Sequence, residues 1–325
     1  MSFAIERRHR LSYETFAREY LYPCKPVIVT GALDRWKALG RWTPELFRSE
    51  FSGMKVRIKD REYGQAGAGA AAPAEFTMPD FIDRVLASTE ANPAPYFRNQ
   101  DLFALFPSLR ADVEPMPEYL RPNWLSDRYL HPRVGSILNR GAVIELYIGG
   151  AGGSFPVLHY DGAGTHAFLM QIYGRKRYIV FPPDQERFLY PSPEKINLSL
   201  LDDAEHPDPA RFPLFAQATP TVFTLEPGEL LFVPSHWWHT ATMLTPSITI
   251  SANVLNQSNW KELVAYVSHR QPNPLAAFAS RLYLTAAGAR RAWRDRAWRD
   301  QAWFAPVEPA PVEPAPAAVG EGHAG

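Results

Sequence analysis

One cysteine in 325 residues, Cys24, removes a group of chemistries at the outset. No intramolecular disulfide can form, and no multi-cysteine zinc or iron–sulfur site can be built. Net charge is also lacking. Thirty-four basic side chains cancel 34 acidic ones, so no global field draws the chain to nucleic acid or anionic lipid, and such a partner would need a local patch. No apolar run approaches membrane-spanning length, and the charged start MSFAIERRHR has no apolar segment of the secretory kind. A cytoplasmic protein with no membrane association is expected. Apolar residues, by contrast, are plentiful: 46% hydrophobic and 13% aromatic content supports one sizeable core or two small ones.

Mixed α and β signals open the chain. KPVIVTG, from Lys25, reads as a strand closed by glycine, and Thr43-Pro44-Glu45 reads as an N-cap, a first-turn proline and a first-turn acid. VRIKD near Val56 reads as another strand. The Gly/Ala-rich loop from Gly64 to Phe76 then precedes a helix opened by Thr77, with Asp80 at the capping-box position. From about Gly141 to Leu255 short strands alternate with Gly/Pro turns: AVIELYIGG, GSFPVLHYD, AFLMQIYG, KRYIVFPP, PTVFTL, GELLFVP and SITISANVL. That pattern predicts a mainly β sandwich or barrel with flanking helices. Helical pattern returns after Ser258 in NWKELVAYVSHR and from Leu275 to Phe304. The expected organisation is a β domain over 1–257, a helical region over 258–304 and a disordered Pro/Ala-rich tail over 305–325.

The last helix carries the repeat RAWRD-RAWRD-QAWF, which sets Trp293, Trp298 and Trp303 about 140° apart around the helix, so they form no single seam. Its five arginines between Arg290 and Arg299 read as a solvated face rather than a nucleic-acid footprint.

Chemistry concentrates in LHYDGAGTH. His159 and Asp161, at i and i+2 on a strand, point to one face and can reach one point in space. An isolated pair of this kind also suits a solvated surface strand. A third donor comes from LFVPSHWWHTATML, which offers His236 and His239. Two histidines and a carboxylate are the donor set of non-haem iron(II) oxygenases, leaving positions open for a bidentate co-substrate and dioxygen. Zinc accepts the same donors but usually takes four-coordinate geometry. In FLMQIYGRKRYIVF, if the strand is continuous, Lys176 shares the apolar face of Met170, Ile172, Tyr178 and Val180 and needs an anionic partner; a twist at Gly174 would return it to solvent. Thr249, Ser251 and Asn253 form a polar row of one parity, facing either a wet cavity or solvent.

These residues, with KPVIVTGALDRW, Gly-x-Lys-Arg, Phe-Pro-Pro and Pro-x-x-Trp-Trp-His in order, resemble the Jumonji-C, cupin-like 2-oxoglutarate oxygenases, especially the type that hydroxylates asparagine in hypoxia-inducible factor. The resemblance implies a double-stranded β-helix of jelly-roll kind and iron(II) held by His159, Asp161 and His239, the histidine that directly follows the two tryptophans. It also implies 2-oxoglutarate and dioxygen as co-substrates, with Lys176 pairing the distal carboxylate, Tyr96 hydrogen-bonding that carboxylate, and Asn253 close to the co-substrate. Trp237, Trp238, Tyr147 and Phe168 are candidate apolar walls.

Departures exist. The loop after Asp161 is longer than in the asparaginyl hydroxylase and nearer the lysyl-hydroxylating branch. The asparagine often found on the next strand is missing, with Thr165 or His166 placed to compensate, and Pro156 stands where a hydroxyl residue is frequent. The expected reaction is hydroxylation of a protein or peptide side chain. The alternatives are a small-metabolite or RNA hydroxylase, a zinc or manganese cupin of hydrolase or isomerase type, and a catalytically silent binding module. A homodimer is expected through Leu263, Val264, Val267, Leu275, Phe278, Leu282 and Leu284.

Overall fold

The computed structural model describes residues 4–58, 74–126 and 144–303. Most of residues 64–76, the tail 305–325, and the side chains of Trp298 and Trp303 lie outside the described residues.

The larger of two facing sheets runs β1 (Glu6–His9), β2 (Val27–Thr30), β10 (Leu230–Val233), β7 (His166–Tyr173), β12 (Ser247–Val254), β6 (Ile144–Gly149), β5 (Phe97–Asp101). The smaller runs β11 (Trp238–Met243), β8 (Lys176–Phe181), β9 (Thr221–Leu225). A separate ribbon pairs β3 (Lys55–Ile58) with β4 (Ala74–Thr77). This is the expected mainly β, jelly-roll architecture with flanking helices.

Period-2 alternation gives the larger sheet two unlike faces. Phe168, Met170, Leu146, Ile148, Ile248, Ile250, Leu230 and Phe232 join Phe16, Phe47 and Phe81 of the N-terminal helical segments in the main core. The opposite face meets the smaller sheet. At the β2–β10 end that interior is apolar, with Ile28, Ala167, Leu231 and Val233 against Tyr178, Val180, Phe223 and Leu225. At the β12–β6 end it is polar: Thr249 pairs with Tyr147 and Ser251 with Glu145, and both hydroxyl residues are buried. The polar row of β12 therefore faces the interior, not solvent.

The predicted caps form. Thr43 accepts from Leu46 N–H, and Thr77 accepts from Asp80 N–H while its hydroxyl donates to the Asp80 carboxylate at 2.7 Å. Three strand expectations change. GSFPVLHYD is not a regular strand, since only Ser154 and His159 form bridges, and Pro156 between them lacks an N–H. GELLFVP forms β10 as expected, and WHTATM, absent from the expected strands, adds β11 in the other sheet after a turn. β7 and β8 are not continuous, because the chain changes sheet at Gly174. There φ is +67° and an added Cβ would sit 1.8 Å from the Pro246 carbonyl oxygen, so only glycine fits.

After the sandwich come the helices Trp260–His269 and Pro274–Trp303. Leu263, Val264, Val267 and Leu284 are buried with Trp124, Ala163, Leu255 and Trp260, so they close this protein's own core and are not available to a partner. Leu275, Phe278 and Leu282 stay 78%, 66% and 62% exposed. Among the described residues, no helix is long and apolar enough to cross a membrane.

Candidate metal centre

His159 and His239 face each other across an antiparallel bridge: His159 N–H donates to the His239 carbonyl at 3.1 Å, and His239 N–H to the His159 carbonyl at 2.7 Å. Residues paired this way project to the same face, and the two imidazole centroids lie 4.5 Å apart. Asp161, two residues on, brings its carboxylate to 4.0 Å from His159 Nε2. One donor atom from each of the three lies within 4.8 Å of the others, the only such cluster found among the described residues.

The tautomers are set locally. His159 Nδ1 is 3.1 Å from the Val157 carbonyl and His239 Nδ1 is 2.9 Å from the Trp237 carbonyl. A carbonyl only accepts, so each Nδ1 carries the proton and each Nε2 presents a lone pair. Burial, followed by the neighbouring His239 and the charge of Arg98, holds His159 well below the usual histidine range, so it stays neutral. Burial raises Asp161, while His239 and a hydrogen bond from Asn253 pull it back. Asn253 Nδ2 also donates to Thr165 Oγ1 at 3.0 Å, and Thr165 donates to the Gly162 carbonyl at 3.2 Å. Asn253 and Thr165 thus orient the carboxylate.

Lys176 lies on the same inner face of the smaller sheet as His239, through the pairs His239↔Val180 and Met243↔Lys176. It is 3% exposed, donates to Tyr96 O–H at 3.0 Å, and sits 5.3 Å and 5.7 Å from the Tyr96 and Tyr147 rings. Among the described residues no carboxylate forms an ion pair with it. Burial alone drives its pKa down to about 7. The continuous strand assumed for it from sequence does not exist; the alternation of β8 itself turns Lys176 inward.

His236 is not part of the cluster, since its Nε2 meets Glu262 Oε2 at 3.1 Å. Buried His166 accepts from Ser235 N–H at Nδ1 and lies 2.8 Å from Ser258 Oγ through Nε2, on the far face of β7. Thr165, not His166, thus meets Asn253. Of the candidate walls, Tyr147 borders Lys176, whereas Phe168 belongs to the main core, Trp237 to the apolar end of the sandwich, and Trp238 packs outward on Tyr160. Sequence reasoning missed Arg98. It is 7% exposed, with its guanidinium 5.5 Å from the Phe155 ring, which stacks on His159 at 4.2 Å. The alternation of Tyr96 and Arg98 about Phe97, the first residue of β5, was the available signal, because Phe97 enters the main core.

Two imidazole Nε2 atoms and a carboxylate, converging inside a double-sheet barrel, define a metal-binding cupin. A model described as "Cupin-like domain" matches residues 13–262, so the chain belongs to that family, in its Jumonji-C form. It is 31% identical over 256 residues to lysine-specific demethylase 8 of Xenopus tropicalis, covering 76% of this chain and 52% of the relative. It is 26% identical over 269 residues to arginine-specific demethylase JMJ20 of Arabidopsis thaliana, covering 77% and 56%. A shorter match, 39% over 126 residues, links 38% of the chain to 24% of human HSPB1-associated protein 1. The chain spans about half the length of the two demethylases it matches. Iron(II), 2-oxoglutarate and dioxygen are the cofactors of this class. The residues present fit them: two preset Nε2 donors and a carboxylate for the metal, and, for the diacid, a buried ammonium to which the described residues offer no carboxylate.

Two expectations follow. His239→Ala should lose iron(II) binding outright, whereas His236→Ala, which removes no donor, should still bind one equivalent with affinity weakened by no more than about tenfold, as read by iron(II) titration; the reverse pattern would refute the donor assignment. Lys176→Met should weaken 2-oxoglutarate binding about tenfold to hundredfold. It should also stabilise the protein measured without co-substrate, by roughly 1–4 kcal/mol. The folded pKa near 7 lies below the unfolded value, so the unfolded chain holds more protons between them and wild-type stability rises with pH across that window. The gain from Lys176→Met should therefore be largest below pH 7 and shrink toward about pH 10. Urea unfolding at both ends of that range checks the sign.

Proposed function

We propose that this protein is an iron(II)- and 2-oxoglutarate-dependent oxygenase that hydroxylates a C–H bond in a protein or peptide side chain. The observation carrying this reading is the pairing of the His159, Asp161 and His239 cluster with buried Lys176 in one interior. A zinc or manganese cupin hydrolase would have no use for that lysine, and a silent binding module would need neither.

In this reading His159, Asp161 and His239 hold the metal, and Lys176 with Tyr96 takes the distal carboxylate of 2-oxoglutarate. The bound iron would supply a site at which dioxygen oxidises both partners, one oxygen atom entering succinate as 2-oxoglutarate loses carbon dioxide and the other entering the target C–H bond as hydroxyl. The protein's own part is positional. Asn253 and Thr165 aim the Asp161 carboxylate, the Val157 and Trp237 carbonyls fix both imidazoles, and Tyr147 and Phe155 exclude water from the chamber. Protein substrates are favoured because the relatives are named lysine- and arginine-specific demethylases. Whether hydroxylation is the end product or leads on to loss of a methyl group depends on the carbon attacked. The single cysteine is in keeping with the cytoplasm.

Mass spectrometry of cell-extract proteins, free metabolites and purified tRNA incubated with enzyme, iron(II) and 2-oxoglutarate should find a one-oxygen or one-methyl change on protein. A change confined to RNA or a metabolite would overturn the ordering. A homodimer through the helices over 258–303 remains part of the proposal, now resting on Leu275, Phe278 and Leu282. Light scattering should show a dimer that Leu275→Glu with Phe278→Glu converts to monomer; a monomeric wild type would contradict it.

A further inference from the structure

Tyr160 lies between two of the metal-site residues and points away from them. Its ring is held from outside the chamber, by His236 stacked on it at 4.7 Å and 28°, and by Trp238 meeting it edge-on at 5.0 Å. Both belong to the segment that leads into His239, so this aromatic group ties the 159–161 backbone to the 236–239 backbone on the face opposite the metal site.

His236 occupies a backbone conformation that costs free energy. Its φ is +64°, in the left-handed region that a non-glycine residue enters only when its surroundings hold it there. A carboxylate from the first helix after the sandwich holds it there. His236 Nε2 meets Glu262 Oε2 at 3.1 Å, and Glu262 stands in the first turn of the helix Trp260–His269. The same turn grips the loop that follows Asp161. Asn259 Nδ2 donates to the Gly164 carbonyl at 3.0 Å, and an added Cβ on Gly164 would fall 2.2 Å from Glu262 Cβ, so helix and loop touch with no room for a side chain. Gly164 itself has φ +68° and Ala163 φ +60°. One helical turn therefore fixes both segments that deliver donors to the metal site, Asp161 through Gly164 and His239 through His236.

We propose that Glu262 and His236 are positioning residues of the metal centre: the carboxylate holds His236 against Tyr160 and so sets the spacing between the His159–Asp161 pair and His239. This rests on reading the triad as a metal site. Neither residue touches the metal position, and their effect is carried by the Tyr160 stack and the 162–164 loop.

The test is titration of the full-length protein with cobalt(II) alone, followed by visible absorption, with folding checked by thermal melting. Wild type should bind one equivalent. Glu262→Ala should lose about tenfold in cobalt affinity and shift the absorption bands, with its melting transition still cooperative. Glu262→Gln, whose amide oxygen can still accept from His236, should recover most of the affinity and the wild-type bands. His236→Asn tolerates the left-handed backbone but loses the stack, so it should resemble Glu262→Ala. Exposed Lys261, 3.6 Å from the Glu262 carboxylate, supplies the control, and Lys261→Ala should bind as wild type. Wild-type affinity and spectrum in Glu262→Ala would overturn the proposal. So would equal impairment of Glu262→Ala and Glu262→Gln with loss of the melting transition, which would assign the pair to stability alone. Failure of wild type to bind cobalt would instead remove the metal-site reading, and this inference with it.

Discussion

The metal end of the sandwich depends on two backbone hydrogen bonds, those exchanged between His159 and His239. A reciprocal antiparallel pair leaves each side chain no freedom over which face it takes, so two residues 80 positions apart in sequence present their rings to one point. The carbonyls of Val157 and Trp237, each two residues before its histidine, then accept from Nδ1 and leave Nε2 toward that point. Asp161, two residues on in extended backbone, returns to the same side. Loss of the bridge would separate the donors even with every side chain intact.

The second constraint is energetic. The interior between the sheets is apolar at one end, around Val180 and Phe223, and polar at the other, where Lys176, Tyr96, Tyr147 and the β12 row converge. A protein optimised for stability alone would not bury an ammonium whose one hydrogen-bond partner among the described residues is a phenol oxygen, since the desolvation it suffers is only partly offset. Its depressed pKa marks that cost. A dianionic co-substrate would repay it, so on the proposed function binding and a local loss of stability would reside in the same residue.

Much of this was legible from sequence, for identifiable reasons. Short strands with Gly/Pro turns gave the β architecture, Thr43 and Thr77 marked their helices, and the His-x-Asp spacing gave two donors on one face. Choosing His239 over His236 needed the family resemblance, because either histidine lies near enough along the chain; the Glu262 contact of His236 is a long-range fact. The polar row of β12 had a readable parity, yet which sheet face met the interior depends on tertiary packing. Lys176 was placed inside on a premise that failed, since Gly174 breaks the strand and β8 sets its own alternation. Arg98 was overlooked because nothing in PYFRNQDL announces a buried charge until Phe97 is known to enter the main core. The C-terminal apolar residues were read as one interface when four of the seven close the protein's own helical core.

The central claim is that one chamber holds iron(II) at His159, Asp161 and His239 and 2-oxoglutarate between that metal and Lys176. Anaerobic titration of the iron(II)-loaded protein with 2-oxoglutarate tests it directly, through the visible metal-to-ligand charge-transfer absorption of a bound 2-oxo acid. The account predicts a band that grows with added 2-oxoglutarate and saturates at one equivalent per iron. Iron(II) bound with no such band at any 2-oxoglutarate concentration would contradict it.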